Sequence, residues 1–255
     1  MRRSLIFVLT LCLRGKQQKI MIELKNLTKK FGSFTAVNDV SLIVPTGQFF
    51  GFLGPNGAGK TTTIKMMTGL YAPTFGQCLI NGFDIQKQPY HAKLQFGYVP
   101  DQPYLYEKLT GREFLYFVGG LFNMQSDVLK QKVGLLMEMF EIGTFVDKRA
   151  DEFSQGMRQR IVLTAALLHD PKVLIIDEPI VGLDPRSARL VKDTLKRKTR
   201  EGLTVFMSTH LLEIVEELCD RIAIIKDGRI IHEEVQNEQK KFNGQLESMF
   251  LELTK

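Results

Sequence analysis

The chain reads as a mixed α/β protein with a parallel central sheet, and three observations carry that reading. Short apolar segments alternate with helical ones after residue 170, the rhythm of strands linked by crossover helices. An apolar run, Gln48 to Leu53, feeds straight into a glycine-rich turn. Lastly, the apolar run Val173 to Ile176 ends on two adjacent carboxylates, Asp177 and Glu178. Such a run suits a strand buried on both faces, and ionisable groups at its end need a metal or a reacting partner to justify their place.

The elements follow in order. M-I-E-L-K-N-L from Met21 and V-N-D-V-S-L-I-V from Val37 alternate with period two and predict strands of an antiparallel subdomain. Thr61 to Thr68 is the helix after the glycine turn, and strands follow at Gln77 to Ile80 and Phe96 to Val99. Between Pro103 and Asp151 apolar residues recur three and four apart, predicting helices over Arg112 to Phe122 and Asp127 to Phe140. With a further helix over Arg158 to Leu168, this makes a helical lobe of about residues 103–168 inserted into the α/β core. Beyond Pro179 come helix Ser187 to Arg200, strand Thr204 to Ser208, helix Leu211 to Cys219 and strand Arg221 to Ile225. K-D-G-R, Lys226 to Arg229, is a two-residue hairpin turn. The main domain therefore spans 21–235. In the tail, 236–255, Leu246, Met249, Phe250 and Leu253 form one helical stripe that packs on its own domain.

Composition removes several classes. With 255 residues and 44% hydrophobic content the chain can bury a sizeable core. Its formal charge of +6 invites a nucleic-acid reading. Arg2, Arg3, Arg14, Lys16 and Lys19 all lie in the first twenty residues, however, and without these five the balance is +1, so no nucleic-acid partner is expected. Cys12, Cys78 and Cys219 are far apart and read as ordinary reduced thiols. The longest apolar run, Leu5 to Leu13, falls well short of the roughly 20 residues that span a bilayer. Residues 1–20 make a poor signal peptide. They are expected to be a dispensable extension ahead of a start at Met21, the alternative being an interfacial anchor.

The chemistry begins at Gly54, Pro55, Asn56, Gly57, Ala58, Gly59, Lys60 and Thr61, with Thr62 following. G-x-x-x-x-G-K-T lets backbone N–H groups converge on a phosphate. Lys60 reaches the β/γ oxygens and the Thr61 hydroxyl ligates Mg²⁺. A second anion site is expected at F-S-Q-G-M-R-Q-R, where Ser154 and Gly156 stand at a helix start.

Together the glycine loop, S-Q-G-M, L-I-I-D-E-P, G-L-D-P and M-S-T-H resemble the ATP-binding-cassette (ABC) ATPase domain of membrane transporters, from Met21 to about Gly228. The resemblance implies a P-loop core with an N-terminal antiparallel β subdomain and an inserted helical lobe. It implies ATP and Mg²⁺ as cofactors, Asp177 acting through water on the metal, Glu178 as general base and His210 as the switch contacting the γ-phosphate. Ser154, Gln155 and Gly156 would face the nucleotide of a second subunit, arranged head to tail in a homodimer or heterodimer. The family more often has S-G-G-Q, so Gln155 and Met157 are departures. Asp184 belongs to the loop linking the two sites, and Phe31 takes the place of the adenine-stacking aromatic, with Phe34 as rival. Where the family has a Gln that senses Mg²⁺, alignment places Asp101; Gln102, one residue later, is expected to supply the amide through a small local shift, the alternative being an Asp101 contact through water.

The implied function is ATP hydrolysis powering transport through a separate integral membrane permease, with the chain peripheral on the cytoplasmic face of the membrane. The S-Q-G-M-R-Q-R form resembles cassettes of bacterial exporters. A soluble non-transport ABC ATPase, in repair, ribosome function or cofactor assembly, is the alternative; its usual coiled-coil insertion or second cassette is not in this sequence. Tyr104, Leu105, Tyr106, Phe114, Leu115, Tyr116, Phe117, Leu121 and Phe122 crowd the start of the lobe. Most are expected in its core and the rest in an exposed groove that receives a short permease helix.

Overall fold

The computed structural model describes residues 18–178, 183–236 and 245–254. In chain order the elements are β1 (Ile20–Phe31), β2 (Phe34–Pro45), β3 (Phe49–Leu53), α1 (Lys60–Met67), β4 (Phe75–Ile80), β5 (Phe83–Asp84), α2 (Pro89–Lys93) and β6 (Phe96–Val99). Then come α3 (Gly111–Leu121), α4 (Ser126–Met139), α5 (Gln155–Leu167), β7 (Val173–Asp177), α6 (Pro185–Arg200), β8 (Thr204–Thr209), α7 (Leu212–Leu218), β9 (Arg221–Lys226), β10 (Arg229–Val235) and α8 (Gln245–Thr254).

Two sheets organise them. An antiparallel sheet runs β2-β1-β4-β5, and a second sheet runs β10-β9-β3-β8-β7-β6. In the latter β9, β3, β8, β7 and β6 are parallel, and β10 closes one edge antiparallel through the Asp227–Gly228 turn. Both turn residues have positive φ, 49° and 74°, the backbone a two-residue hairpin needs.

The parallel sheet is buried on both faces, which is why its strands lack polar alternation. Phe50, Phe52, Val173, Ile175 and Phe206 point into a core shared with β1, β2 and α1. Phe49, Leu53, Leu174, Ile176, Val205 and Met207 point into the other, which continues through α3, α4 and α5. The period-two change of side thus divides each strand between two cores. Leu246 of α8 is buried in the second core and Met249, Phe250 and Leu253 pack against it.

Boundaries differ from expectation where capping decides them. The helix expected from Arg158 begins at Gln155, because the Ser154 side chain accepts from the Met157 amide and nucleates the helix through an unpromising Gln-Gly pair. Helix α3 starts at Gly111 behind a reciprocal cap, in which Thr110 and Glu113 each bond the other's backbone amide. The short β5 and α2 lie in stretches too brief for periodicity to reveal. Strand pairing reaches back to Ile20, opposite Pro45, and the Lys19 carbonyl accepts from the Thr46 amide at 2.9 Å. Residues 1–17 of the expected extension and 237–244 of the tail lie outside the described residues.

Candidate functional site

Four adjacent parallel strands deliver the candidate groups at their carboxyl ends, the position where open α/β sheets bind ligands. The glycine loop follows β3, His210 follows β8, Asp177 ends β7 with Glu178 next, and Asp101 and Gln102 follow β6. Register levels these ends: Leu53 lies opposite Thr209, Ser208 opposite Asp177, and Val99 opposite Ile176.

The loop from Gly54 to Gly59 can be built only from small residues at two points. A Cβ on Gly54 would lie 2.3 Å from the Ile225 carbonyl oxygen, and one on Gly59, whose φ is +107°, would lie 2.6 Å from that of Ala36. Lys60 is almost fully buried at the start of α1. Its ammonium donates to the Gly54 carbonyl at 2.7 Å and the Pro55 carbonyl at 3.1 Å. Burial lowers its pKa, and the Glu178 and Asp177 carboxylates oppose that shift. Thr61 is exposed and Thr62 half-buried beside it.

Asp177 is 2% exposed. Oδ1 accepts from the Ser208 hydroxyl, and Oδ2 is buried with no hydrogen-bond partner among the described residues. Desolvation raises its pKa; the Ser208 and Thr61 hydroxyls pull it back, and the Asp101 and Glu178 charges raise it further. Thr61 is thus near enough to favour the ionised form without completing a bond to Oδ2. An orphaned carboxylate oxygen beside an open hydroxyl is a set of hard oxygen donors, and it fits Mg²⁺.

Glu178, just past the end of β7, adopts φ 51°, a left-handed conformation costing a non-glycine residue about 1–2 kcal/mol. The turn breaks the alternation of the strand, so two consecutive carboxylates serve one crevice. Its Oε1 lies 2.8 Å from His210 Nδ1, and Oε2 accepts from the Thr209 hydroxyl at 3.0 Å. A carboxylate only accepts, so Nδ1 carries the proton in this pair and Nε2 is left for another partner. Thr209 and Ser208, which hold the two carboxylates, were missed from sequence. The available signal was their place beside His210 on the strand next to β7.

The other candidates are placed as follows. Phe31 is 45% exposed and Phe34 63%, facing each other across the end of the β1–β2 hairpin. Phe31 meets Tyr71 edge-on, centroids 5.6 Å apart, and Lys29 Nζ stands 5.1 Å from its ring centre. Gln102 and Asp101 are both exposed, and it is Asp101 whose charge reaches Asp177. Ser154 and Gln155 are exposed at the start of α5, remote in sequence from the glycine loop. Gly156 is buried against Asp184, whose Oδ2 lies 3.6 Å from where a Cβ would stand. Asp184 caps α6 by accepting from the Ser187 amide at 3.0 Å, and the Ser187 hydroxyl and amide lower its pKa. Pro179 to Gly182, including the first residue of the G-L-D-P loop, lie outside the described residues.

A groove of about 380 Å³ lies between the sheet end and the lobe, lined among others by Tyr98, Pro100, Tyr104, Phe114, Phe122 and His169. Leu105 and Leu115 are buried as expected of a lobe core, whereas Tyr104, Tyr106, Phe117 and Leu121 are exposed. Phe122 stacks flat on His169, centroids 3.7 Å apart.

A buried lysine in a glycine loop, facing two carboxylates across a parallel sheet, defines a P-loop nucleotide-hydrolysing enzyme. The comparisons narrow this. The family model described as ABC transporter matches residues 37–181. The chain is 44% identical over 220 residues to the uncharacterized ABC transporter ATP-binding protein YhcH of Bacillus subtilis (strain 168), covering 86% of this chain and 70% of that protein. It is 39% identical over 212 residues to the Nod factor export ATP-binding protein I of Burkholderia lata, covering 83% and 70%. A solved ATP-binding subunit of an ABC transporter superposes with TM-score 0.84 at 30% identity, over 92% of this chain and 100% of that one. A dimeric ATP-binding cassette in a post-hydrolysis state with ADP and Pi gives 0.76 at 26%, over 84% and 98%. The chain belongs to the ABC transporter ATP-binding protein family: it is an ATP-hydrolysing subunit that powers transport.

Proposed function

We propose that this subunit drives export through a separate integral membrane permease, held at the cytoplasmic face of the membrane by that partner. Two copies of the cassette, identical or paired with a related chain, close head to tail around two Mg-ATP. In each site Gly54 to Gly59 cradle the phosphates, Lys60 neutralises the β/γ oxygens, and Phe31 stacks on adenine. Ser154, Gln155 and Gly156 of the other copy cover the γ-phosphate, and Asp184 beside Gly156 links the two sites. Thr61 would hold Mg²⁺ directly and Asp177 would hold it through water, with the Asp101–Gln102 segment completing its surroundings; the cation would supply positive charge against the phosphates. Glu178 takes a proton from the attacking water. His210, oriented through Nδ1, presents Nε2 to the γ-phosphate. Loss of that phosphate removes the contacts that join the copies.

The observation that carries this reading is the Glu178–His210 pair at 2.8 Å at the end of the strands that also bear Asp177 and the glycine loop. Support for a membrane partner comes from the exposed aromatics at the groove: Tyr104, Tyr106 and Phe117 are exposed and touch one another edge-on in one continuous patch, as an interaction site would. The export sense is taken from the Nod factor export relative. No helix among the described residues is long and apolar enough to cross a membrane, so attachment is assigned to the permease. Fractionation of native cells tests the reading. The cassette is expected in the membrane fraction and with an integral membrane protein on purification, and Tyr104→Asp is expected to release it while ATP binding persists. A cassette recovered wholly in the soluble fraction with no integral partner would overturn the transport arrangement.

A further inference from the structure

The Asp227–Gly228 hairpin turn takes no part in the chemistry above, yet both backbone groups of Gly228 are committed to segments around the phosphate loop. Its amide donates to the Ala58 carbonyl at 3.0 Å, and its carbonyl accepts from the Asn38 amide at 2.8 Å. Its φ is +74°, and a Cβ there would stand 2.8 Å from the Ala36 carbonyl oxygen and 3.1 Å from Val37 Cα. That same Ala36 oxygen also bars a side chain at Gly59, at 2.6 Å. Hairpin tip, β2 and phosphate loop therefore meet in backbone contact.

The consequence follows from peptide geometry. A trans peptide is planar, with its C=O and the following N–H on opposite edges, and no described peptide is cis. The Ala58 carbonyl is turned back to the hairpin, so the Gly59 N–H of the same peptide unit faces the other way. The loop also has open space at its tip, where a Cβ on Gly57 would meet nothing within 4 Å. We infer that the Gly228 amide is a positioning group for nucleotide binding, fixing the Ala58–Gly59 peptide so that the Gly59 N–H is aimed at the phosphates. Without this donor the peptide is free to rotate, and the cradle loses one of its directed N–H groups to solvent or to the protein interior. Glycine is required at 228 because any side chain would push the tip away from Ala36 and stretch the bond to Ala58. The inference rests on the placement of the phosphates against residues 54–61.

Titration with Mg-ADP, alongside thermal melting, tests it. Gly228→Ala is expected to weaken Mg-ADP binding by about 10- to 100-fold, the loss that goes with one hydrogen bond to a charged group. Its KM for ATP should rise in parallel, with kcat changed by less than about threefold, since the lost contact is made in ground and transition states alike. Asp227→Asn keeps a residue at ease in the left-handed region and should leave both constants unchanged. A folded Gly228→Ala protein with wild-type Mg-ADP affinity would show that the turn is only structural and overturn the inference. Wild-type protein that binds no Mg-ADP would instead remove the phosphate placement itself. If Gly228→Ala does not fold, amide hydrogen exchange on the wild type decides. The Gly228 amide should be protected in the nucleotide-free protein and at least about tenfold more so with Mg-ADP, the bond tightening as the loop is filled. Exchange as fast as that of an exposed turn amide would overturn the inference.

Discussion

The phosphate loop and the Ser154 turn are both helix starts that offer backbone N–H groups to an anion, but they are finished to different degrees. Around the first, Ile225 and Ala36 carbonyls fill the space behind Gly54 and Gly59, and Lys60 is buried with two carbonyl partners. Around the second, Ser154 and Gln155 are exposed, and the Ser154 hydroxyl is spent on the Met157 amide at 3.3 Å, a long bond. Only Gly156 is tucked in, beside Asp184. The difference fits the proposed arrangement, in which one anion site is complete within a single chain and the other is a half-site that a second copy would complete. A surface that must meet a second molecule cannot be packed in advance.

That contrast can be broken most sharply at the chemistry. Glu178→Gln should retain ATP binding in the finished site while slowing turnover by about 10²–10⁴-fold, as loss of a general base does. Single-turnover and binding measurements together check it; near-normal hydrolysis would remove Glu178 from the mechanism.

Lys60→Ala strikes the finished site itself. It should weaken Mg-ATP binding by about 10- to 100-fold in the isolated subunit, whatever the partner does, because a charged hydrogen bond to phosphate is lost. Equilibrium titration of the monomer reads this directly.

Ser154→Ala should behave in the opposite way. Losing the cap costs about 1 kcal/mol, a fall in Tm of about 2–4 °C for a domain of this size. Nucleotide affinity of the monomer should stay as it was, and ATP-dependent dimerisation should fail. Sedimentation with Mg-ATP separates the two outcomes, and equal loss of monomer binding would refute the half-site view.

The smallest expected effect is on stability. Burial raises the Asp177 pKa in the folded protein, so its contribution is favourable below the ordinary carboxylate range and is lost as pH rises through the raised folded value. Asp177→Asn should therefore increase the Tm of nucleotide-free protein at neutral pH, by about 2–4 °C for each kcal/mol relieved. The gain should shrink as pH falls through the raised folded value and be gone below the ordinary carboxylate range. A variant no more stable than wild type at neutral pH would show that Oδ2 is not paying for its burial.

Much of the architecture was legible because it is written in local periodicity. Val173 to Ile176, Phe96 to Val99 and the Lys226–Arg229 turn need only a run of apolar residues and an Asp-Gly pair, and each stands where the pattern puts it. The glycine loop was legible from its spacing, and the Asp177–Glu178 pair from its place at the end of an apolar run together with the family resemblance. What spacing does not contain is direction. Glu178 reaches His210 and Thr209 through a left-handed turn that no propensity favours, and Asp177 Oδ2 is orphaned because Ser208, far along the chain, takes only the other oxygen. The brace of the phosphate loop by Ala36 and Gly228 depends on contact between two sheets, and backbone atoms leave no side-chain signature. Local pattern thus determined which elements form and which residue types carry the chemistry. Tertiary packing alone decided where those groups point, because orientation is set by non-local backbone contacts and by strain that the rest of the fold must hold in place.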